Sequence, residues 1–411
     1  MGPGSDRTNT SQQQRRRLWD SEEDENEFQD YPASGDSVQH NTPRASRAAH
    51  LQLDRTPTAS STTSRSDQSD KTRSSRSPTK RIRGLEVARN RSLVLQIDRA
   101  DPRMPTALKN ELAQLRQCSR GDKVIPPYLR DELTSQRGSD ETLYDITDAA
   151  FASKEDELAM ATAGFPLVTM QAVRNISSEA KECYNHGHAE ASWNMLVHWP
   201  LLAIALGRNE QQPQDPTQPR VHAMPCTMAR LSGDARGNKM VDFCLYIEPA
   251  DGCDKKRIDG LRAQRPSENI NHTDYTPLRA RPILLSAESK KPGEQLAEAH
   301  LQLAVWQDRQ LRLLESDIAH ERRADTMIAF LPSLVIQGHE WWFTAATRHE
   351  GTTILWTQQH IGSTSTPLGI FQILHGLRHI ACWASTTYWP WYCKHVLRAS
   401  MAPTMMIDSN T

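Results

Sequence analysis

The pentapeptide Ser286-Ala287-Glu288-Ser289-Lys290 closes an apolar run and sets a carboxylate and an ammonium two residues apart. On a β-strand that spacing puts both side chains on one face, roughly 7 Å apart along the chain. A second apolar segment, Met240 to Ile247, carries Asp242. If the two segments pair, two carboxylates and a lysine converge. Such a set suits hydrolysis of a phosphodiester, which needs an activated water, neutralisation of charge building on phosphorus, and help for the leaving oxygen. A divalent ion can serve all three needs. Magnesium takes hard oxygen ligands and keeps several waters, so Asp242 and Glu288 suffice as its side-chain ligands. Lys290 would orient and polarise the attacking water or stabilise the transition state. An arginine there would carry the charge but could not readily give up a proton.

The elements that must position these residues can be followed along the chain. A long helix is expected from Glu179 to Leu206, with Glu190, Trp193, Asn194, Val197 and Leu201 at helical spacing and a kink at Pro200. Val221 to Ala229 reads as a first strand, and Ser232-Gly233-Asp234 with Gly237-Asn238 as the turn of a hairpin. Met240 to Ile247 is the second strand, with Val241, Phe243, Leu245 and Ile247 on one face and Asp242 on the other. Pro249 to about Arg281 reads as a charged, exposed insertion. Pro282 to Lys290 is the third strand, with Leu284, Ser286, Glu288 and Lys290 on one side. A helix from Glu294 to about His320 carries Leu303, Trp306 and Gln310. Leu334 to Gln337, Trp341 to Thr347 and Thr353 to Ile361 read as further strands, and a last helix starts near Pro367.

Composition limits how much of the chain can be core. Only 37% of the 411 residues are hydrophobic, and mean hydropathy is -0.67. Nine of the ten tryptophans lie between Trp193 and Trp391, so the packed domain belongs there. Residues 1–90 are polar and charged and read as a disordered tail; Ser77 to Arg83 within it is a basic run suited to nuclear import, to phosphorylation, or to nothing beyond solvation. Residues 91–150 read as a helical extension in which Thr106 caps a helix bearing Leu108, Leu112 and Leu115. Residues 151–400 form the main domain and 401–411 a flexible end. Seven scattered cysteines without a C-x-x-C pair suggest neither a disulfide framework nor a zinc ribbon. No membrane segment is expected, and an intracellular, nuclear rather than cytoplasmic, location is the reading. A net charge of -1 excludes a surface that is basic all over.

In this setting Asp242, Glu288 and Lys290 resemble the D…E-x-K core of the PD-(D/E)XK nuclease superfamily, in the order α-β-β-β-α-β. Ala189-Glu190-Ala191-Ser192-Trp193-Asn194, Met240-Val241-Asp242-Phe243, Glu288-Ser289-Lys290-Lys291-Pro292-Gly293, Val335-Ile336-Gln337-Gly338-His339 and Ile361-Gly362-Ser363-Thr364 are similar to the nuclease-like domain widespread in fungal proteins. The resemblance runs from about Ser77 to Tyr392. It implies an α/β (α+β), restriction-endonuclease-like core, a mixed central sheet flanked by helices. It also implies a nuclease using Mg2+ or Mn2+ and acting on nucleic acid, DNA rather than RNA. The Ser289 carbonyl would join Asp242 and Glu288 on the ion, and Glu190 would be the acid above it, although Glu179 and Glu182 share its helix. Gln302, four residues before Trp306, is similar to the Gln-x-x-x-Tyr feature of the RecB-like branch, with Trp in place of Tyr. Lys291, Arg279 and Arg281 would contact phosphate. Oligomeric state is open.

Competing readings accompany each feature. Glu288 and Lys290 could be a solvated strand end, but charged residues inside apolar strands are costly without partners, which favours a site. The fold could persist as a catalytically inactive binding or scaffold module. His375 and His379, with Cys382, have the spacing of a zinc pair yet lack the glutamate of a zinc protease, so a core-edge pair is preferred. His186 and His188 need no metal. The cluster of Trp383, Tyr388, Trp389, Trp391, Tyr392 and His395 could stack bases; packing of a terminal helix is the commoner use.

Overall fold

The computed structural model describes residues 77–88, 91–156, 164–207, 219–233, 241–250, 252–294, 296–318 and 326–397. The tail expected over residues 1–76, the turn residues Gly237 and Asn238, and the flexible end over 401–411 lie outside them. Helix α1 (Pro78–Glu86) is followed by strand β1 (Ser92–Gln96) and helix α2 (Thr106–Ser119). Thr106 is the first residue of α2, after an extended Pro105, and Leu108, Leu112 and Leu115 are buried as their spacing required. After α3 (Arg130–Gln136) come α4 (Met170–Asn185), α5 (Glu190–Trp193) and α6 (Trp199–Leu206). Strands β2 (Arg220–Pro225) and β3 (Phe243–Glu248) precede α7 (Gly252–Ala263) and β4 (Ile283–Lys290). The chain closes with α8 (Leu296–Asp317), β5 (Leu331–Gln337), β6 (Glu340–His349), β7 (Thr352–Ser363), α9 (Pro367–Trp383) and α10 (Trp389–His395).

All seven strands form one mixed sheet in the order β1-β7-β6-β5-β4-β3-β2. β4 is antiparallel to β3 and parallel to β5, and its eight residues are all buried, as a central strand covered on both faces requires. Parallel pairing of β4 with β5 needs a crossover, which α8 supplies. Trp306 Nε1 donates to Ser286 Oγ (2.8 Å) and Gln310 Nε2 to the Ile283 carbonyl (2.7 Å), so α8 is bolted along β4. Among the described residues no helix is long and apolar enough to cross a membrane.

Four expectations change. The segment read as a helical extension contributes β1, which joins the sheet beside β7 in parallel. The basic run Ser77 to Arg83 is not part of a tail: it folds into α1, where Arg81 meets Glu298 of α8 at 3.2 Å. The insertion after Pro249 is not merely exposed. It contains α7, which buries Ile258 and Leu261, and Asn271, whose amide donates to the carbonyls of Leu278 and Arg281. Finally, the long helix from Glu179 is broken at Gly187, whose φ of +61° a helix cannot hold, so Glu179 and Glu182 end one helix and Glu190 begins the next.

The kink expected at Pro200 takes a specific form. Pro200 has no N–H, and its ring crowds the carbonyl four residues earlier, Leu196. The helix answers with a π-turn over Asn194–His198 between α5 and α6. The same Trp-Pro pair recurs at Trp389-Pro390, and a second π-turn, Ala384–Tyr388, precedes it. Widening the turn by one residue keeps the helix path continuous and holds Trp193, Val197 and His198 inward.

Candidate active site

β3 and β4 pair as the sequence required. Phe243 faces Ala287, and the Asp242 main-chain N–H donates to the Ala287 carbonyl (2.9 Å), so Asp242 lies beside Glu288 across an antiparallel ladder. A further bond, from the Cys226 N–H to the Asp242 carbonyl (2.7 Å), ties that position to the end of β2. Asp242 is fully buried and Glu288 is 1% exposed. Asp242 Oδ2 accepts from both the N–H (2.9 Å) and the hydroxyl (2.8 Å) of Ser289. The sequence assigned Ser289 only a carbonyl; its hydroxyl, which aims the aspartate, was not foreseen.

The lysine closes the group. Lys290 Nζ donates to Glu288 Oε1 at 2.6 Å, to the Ser289 carbonyl at 2.8 Å and to Glu190 Oε2 at 3.4 Å. Glu190, first residue of α5, is therefore the helical acid that reaches the site; Glu182 instead meets His186 (3.1 Å). Burial works against the charge on Lys290, but the carboxylates of Glu288, Glu190 and Asp242 outweigh it and raise its pKa above the ordinary lysine value. The ammonium is thus a firmly held cation.

A clamp that the sequence did not announce fixes α5 against β4. Fully buried His198 places Nε2 3.0 Å from the Gly338 carbonyl and Nδ1 2.9 Å from the Asn194 side chain. Gly338 in turn donates its N–H to the Lys290 carbonyl (2.9 Å). Burial lowers the pKa of His198 to about 4, so the ring is neutral and Nε2–H is the donor to Gly338. Nδ1 must then accept, which calls for the amide nitrogen of Asn194 at that place. Gly338 sits at φ +55°, and a Cβ there would come within 2.5 Å of the Pro292 ring, so no other residue fits. Only the four-residue spacing of Asn194 and His198, on the helix that starts with Glu190, could have hinted at this.

The remaining assigned residues divide. Lys291, half exposed and 3.7 Å from Glu294, follows Lys290 at the site end of β4. Gln302 is half-buried one turn before Trp306 on α8; since Trp306 and Gln310 mark Ser286 and Ile283, Gln302 falls level with the Glu288 end. Arg279 and Arg281 do not join the group. They precede β4, about 23 Å of strand from Glu288 in the case of Arg281. There Arg281 pairs with Glu248 (3.0 Å) and lies over the Tyr246 ring. The other candidate clusters serve packing: His379 Nε2 is 2.9 Å from Glu111, Tyr388 donates its hydroxyl to the Ile283 carbonyl (3.0 Å), and Trp391 donates to the Thr326 carbonyl (2.7 Å).

Among the described residues no group of three or more His, Cys, Asp or Glu side chains is arranged to hold a metal ion. The donor set nonetheless fits a hard divalent cation. It is all oxygen, it supplies the two carboxylates that magnesium asks of a protein, and it already surrounds a positive charge.

The profile of the PD-(D/E)XK nuclease superfamily matches residues 132–389. No curated protein and no solved structure matches the chain. With a match over more than half its length, a mixed sheet flanked by helices, and Asp242, Glu288 and Lys290 together at one end of that sheet, the chain belongs to the PD-(D/E)XK nuclease superfamily. Members of that superfamily are in general metal-dependent nucleases.

Proposed function

We propose that this protein is a metal-dependent nuclease that hydrolyses phosphodiester bonds, with Asp242, Glu288 and Lys290 as its working side chains. One observation carries the reading: three charged residues, two from β4 and one just before β3, meet in a buried position, where such groups are costly unless they have a task. Asp242, Glu288, the Ser289 carbonyl and Glu190 would hold Mg2+ or Mn2+. The ion would supply Lewis acidity toward the phosphate and acidity to the attacking water.

The protein's own part is positioning. Ser289 holds Asp242 through two hydrogen bonds, which keeps one carboxylate oxygen fixed. Lys290, on the same face as Glu288, brings a positive charge to where negative charge grows on the phosphoryl oxygens. Without metal, Glu190 reaches Lys290 from α5, and the His198–Gly338 contact keeps α5 at that distance. Lys291 is placed to meet a neighbouring phosphate as a point charge, and Gln302 to bond the ion's surroundings or the substrate. DNA is the substrate favoured by the superfamily resemblance.

Labelled single- and double-stranded DNA and RNA, incubated with purified protein and Mg2+ or Mn2+, test the reading. Cleavage that stops on chelation and falls at least ~1000-fold in Glu288→Ala, about 4 kcal/mol of transition-state stabilisation, is the expected result. Absence of cleavage on all four substrates, with no metal binding, would make the fold a non-catalytic binding module instead.

A further inference from the structure

The oxygens that hold the Lys290 ammonium are those assigned to the ion. Nζ sits 2.6 Å from Glu288 Oε1, 2.8 Å from the Ser289 carbonyl and 3.4 Å from Glu190 Oε2. Magnesium approaches oxygen to about 2.0–2.1 Å and needs its ligands nearly octahedral, so it cannot share this cluster with an ammonium already seated in it. Two adjacent cations would also repel strongly in so buried a place. We infer that Lys290 is the site's resident cation in the metal-free protein, and that a divalent ion enters by displacing its ammonium.

This inference rests on the metal-dependent reading and adds an exchange to it. Without metal, Glu288 is 1% exposed and its charge is costly unless balanced. The ammonium provides that balance and lets the sheet end fold before any ion arrives. A lysine suits the task because its flexible four-carbon stem carries a compact charge that can swing aside. Once released from Glu288 and Ser289, the same ammonium is available to a phosphate oxygen. Lys290 would then hold two positions, one closing the empty site and one serving the substrate, and occupancy by metal would select between them.

The consequence runs against the ordinary expectation for a site residue: removing Lys290 should strengthen metal binding. Titration calorimetry of Mn2+ into the full chain, without nucleic acid, reads this directly. Lys290→Met should bind Mn2+ at least ~10-fold more tightly than wild type, about 1.4 kcal/mol. Lys290→Arg, which keeps a cation in place, should bind no more tightly than wild type. Mn2+ should also raise the thermal midpoint of Lys290→Met more than that of wild type, because the ion then has no ammonium to displace. Lys290→Gln should behave as Lys290→Met does and serves if the methionine variant folds poorly. Adding Glu288→Gln should abolish the gain; if the gain survives it, the ion binds elsewhere and the inference falls. Wild-type or weaker affinity in Lys290→Met and Lys290→Gln also overturns it. In that case one-site Mn2+ binding and metal-dependent cleavage by wild type would leave the nuclease reading intact, whereas failure of wild type and variants alike to bind Mn2+ would remove both.

Discussion

The two ends of the central sheet both gather charge, and they balance it differently. At the end where β4 begins, Asp308 accepts from Thr353 (2.7 Å) and Arg312 (2.8 Å), and Arg348 meets Glu315 (2.7 Å) and Asp308 (3.7 Å). Nearby, Arg281 answers Glu248 and Arg265 answers Asp317. Each acid there has a guanidinium, which suits fixed, forked ion pairs. At the end where β4 finishes, Lys290 meets Glu288 and Glu190, and Asp242 is held beside them by Ser289. One end is held by forked arginine pairs; the other centres on a lysine, whose compact charge on a flexible stem can move.

Removing one acid from each end should have unequal effects. Asp308→Ala should cost about 3 kcal/mol in urea unfolding, since it strands Arg312 and the Thr353 hydroxyl at a mostly buried position, while Arg348 keeps Glu315. Asp242→Asn should change stability by no more than ~1 kcal/mol, because its amide oxygen can still accept from Ser289. Equal losses would mean that both ends are structural.

Acid sets the window in which the ends can be compared. Burial lowers the pKa of His272 to about 3 and those of His300 and His375 to about 4. These values lie below the ordinary 6.5, so the unfolded chain binds more protons, and stability is full above pH 6.5 and lost as pH falls toward 4. His272, T-shaped on Trp306 with no hydrogen-bond partner for either ring nitrogen, is the clearest probe. His272→Phe should recover on the order of 2 kcal/mol of the difference between the unfolding free energies measured in urea at pH 7.5 and 4.5. An unchanged difference would assign the acid sensitivity elsewhere.

The smallest effects belong to two surface cations. Lys291→Ala at the site end should weaken nucleic-acid binding and lower the salt slope by about 1, in an anisotropy titration. Arg281→Gln at the far end should leave that slope unchanged and cost less than ~1 kcal/mol of stability. If Arg281 proves the more important for binding, the substrate runs over the end of the sheet away from Lys290.

Much of the fold, and the meeting of Asp242, Glu288 and Lys290 on one face, could be read from the residues. Period-two alternation in β3 and the Glu288/Lys290 spacing in β4 report a strand face directly, and Trp306 at helical spacing reports α8. What stayed hidden depended on contacts remote in sequence. β1 is short and gains its identity only from pairing with β7, some 260 residues later. The clamp from His198 to Gly338 spans 140 positions. Arg279 and Arg281 were misplaced for a related reason: nearness in sequence to β4 says nothing about which end of the strand a side chain occupies. The break at Gly187 was legible, since a glycine followed by a polar turn often ends a helix, but the apolar periodicity on either side masked it.

The most direct test sets one acid from each end against the other in the reaction itself. Cleavage of labelled DNA with Mg2+ should be measured for wild type, Asp242→Asn and Asp308→Asn, each normalised to its folded fraction. Asp308→Asn should cut at the wild-type rate, and Asp242→Asn should lose cleavage while remaining folded. Cleavage by Asp242→Asn at the wild-type rate, or equal loss in both, would contradict the proposed site.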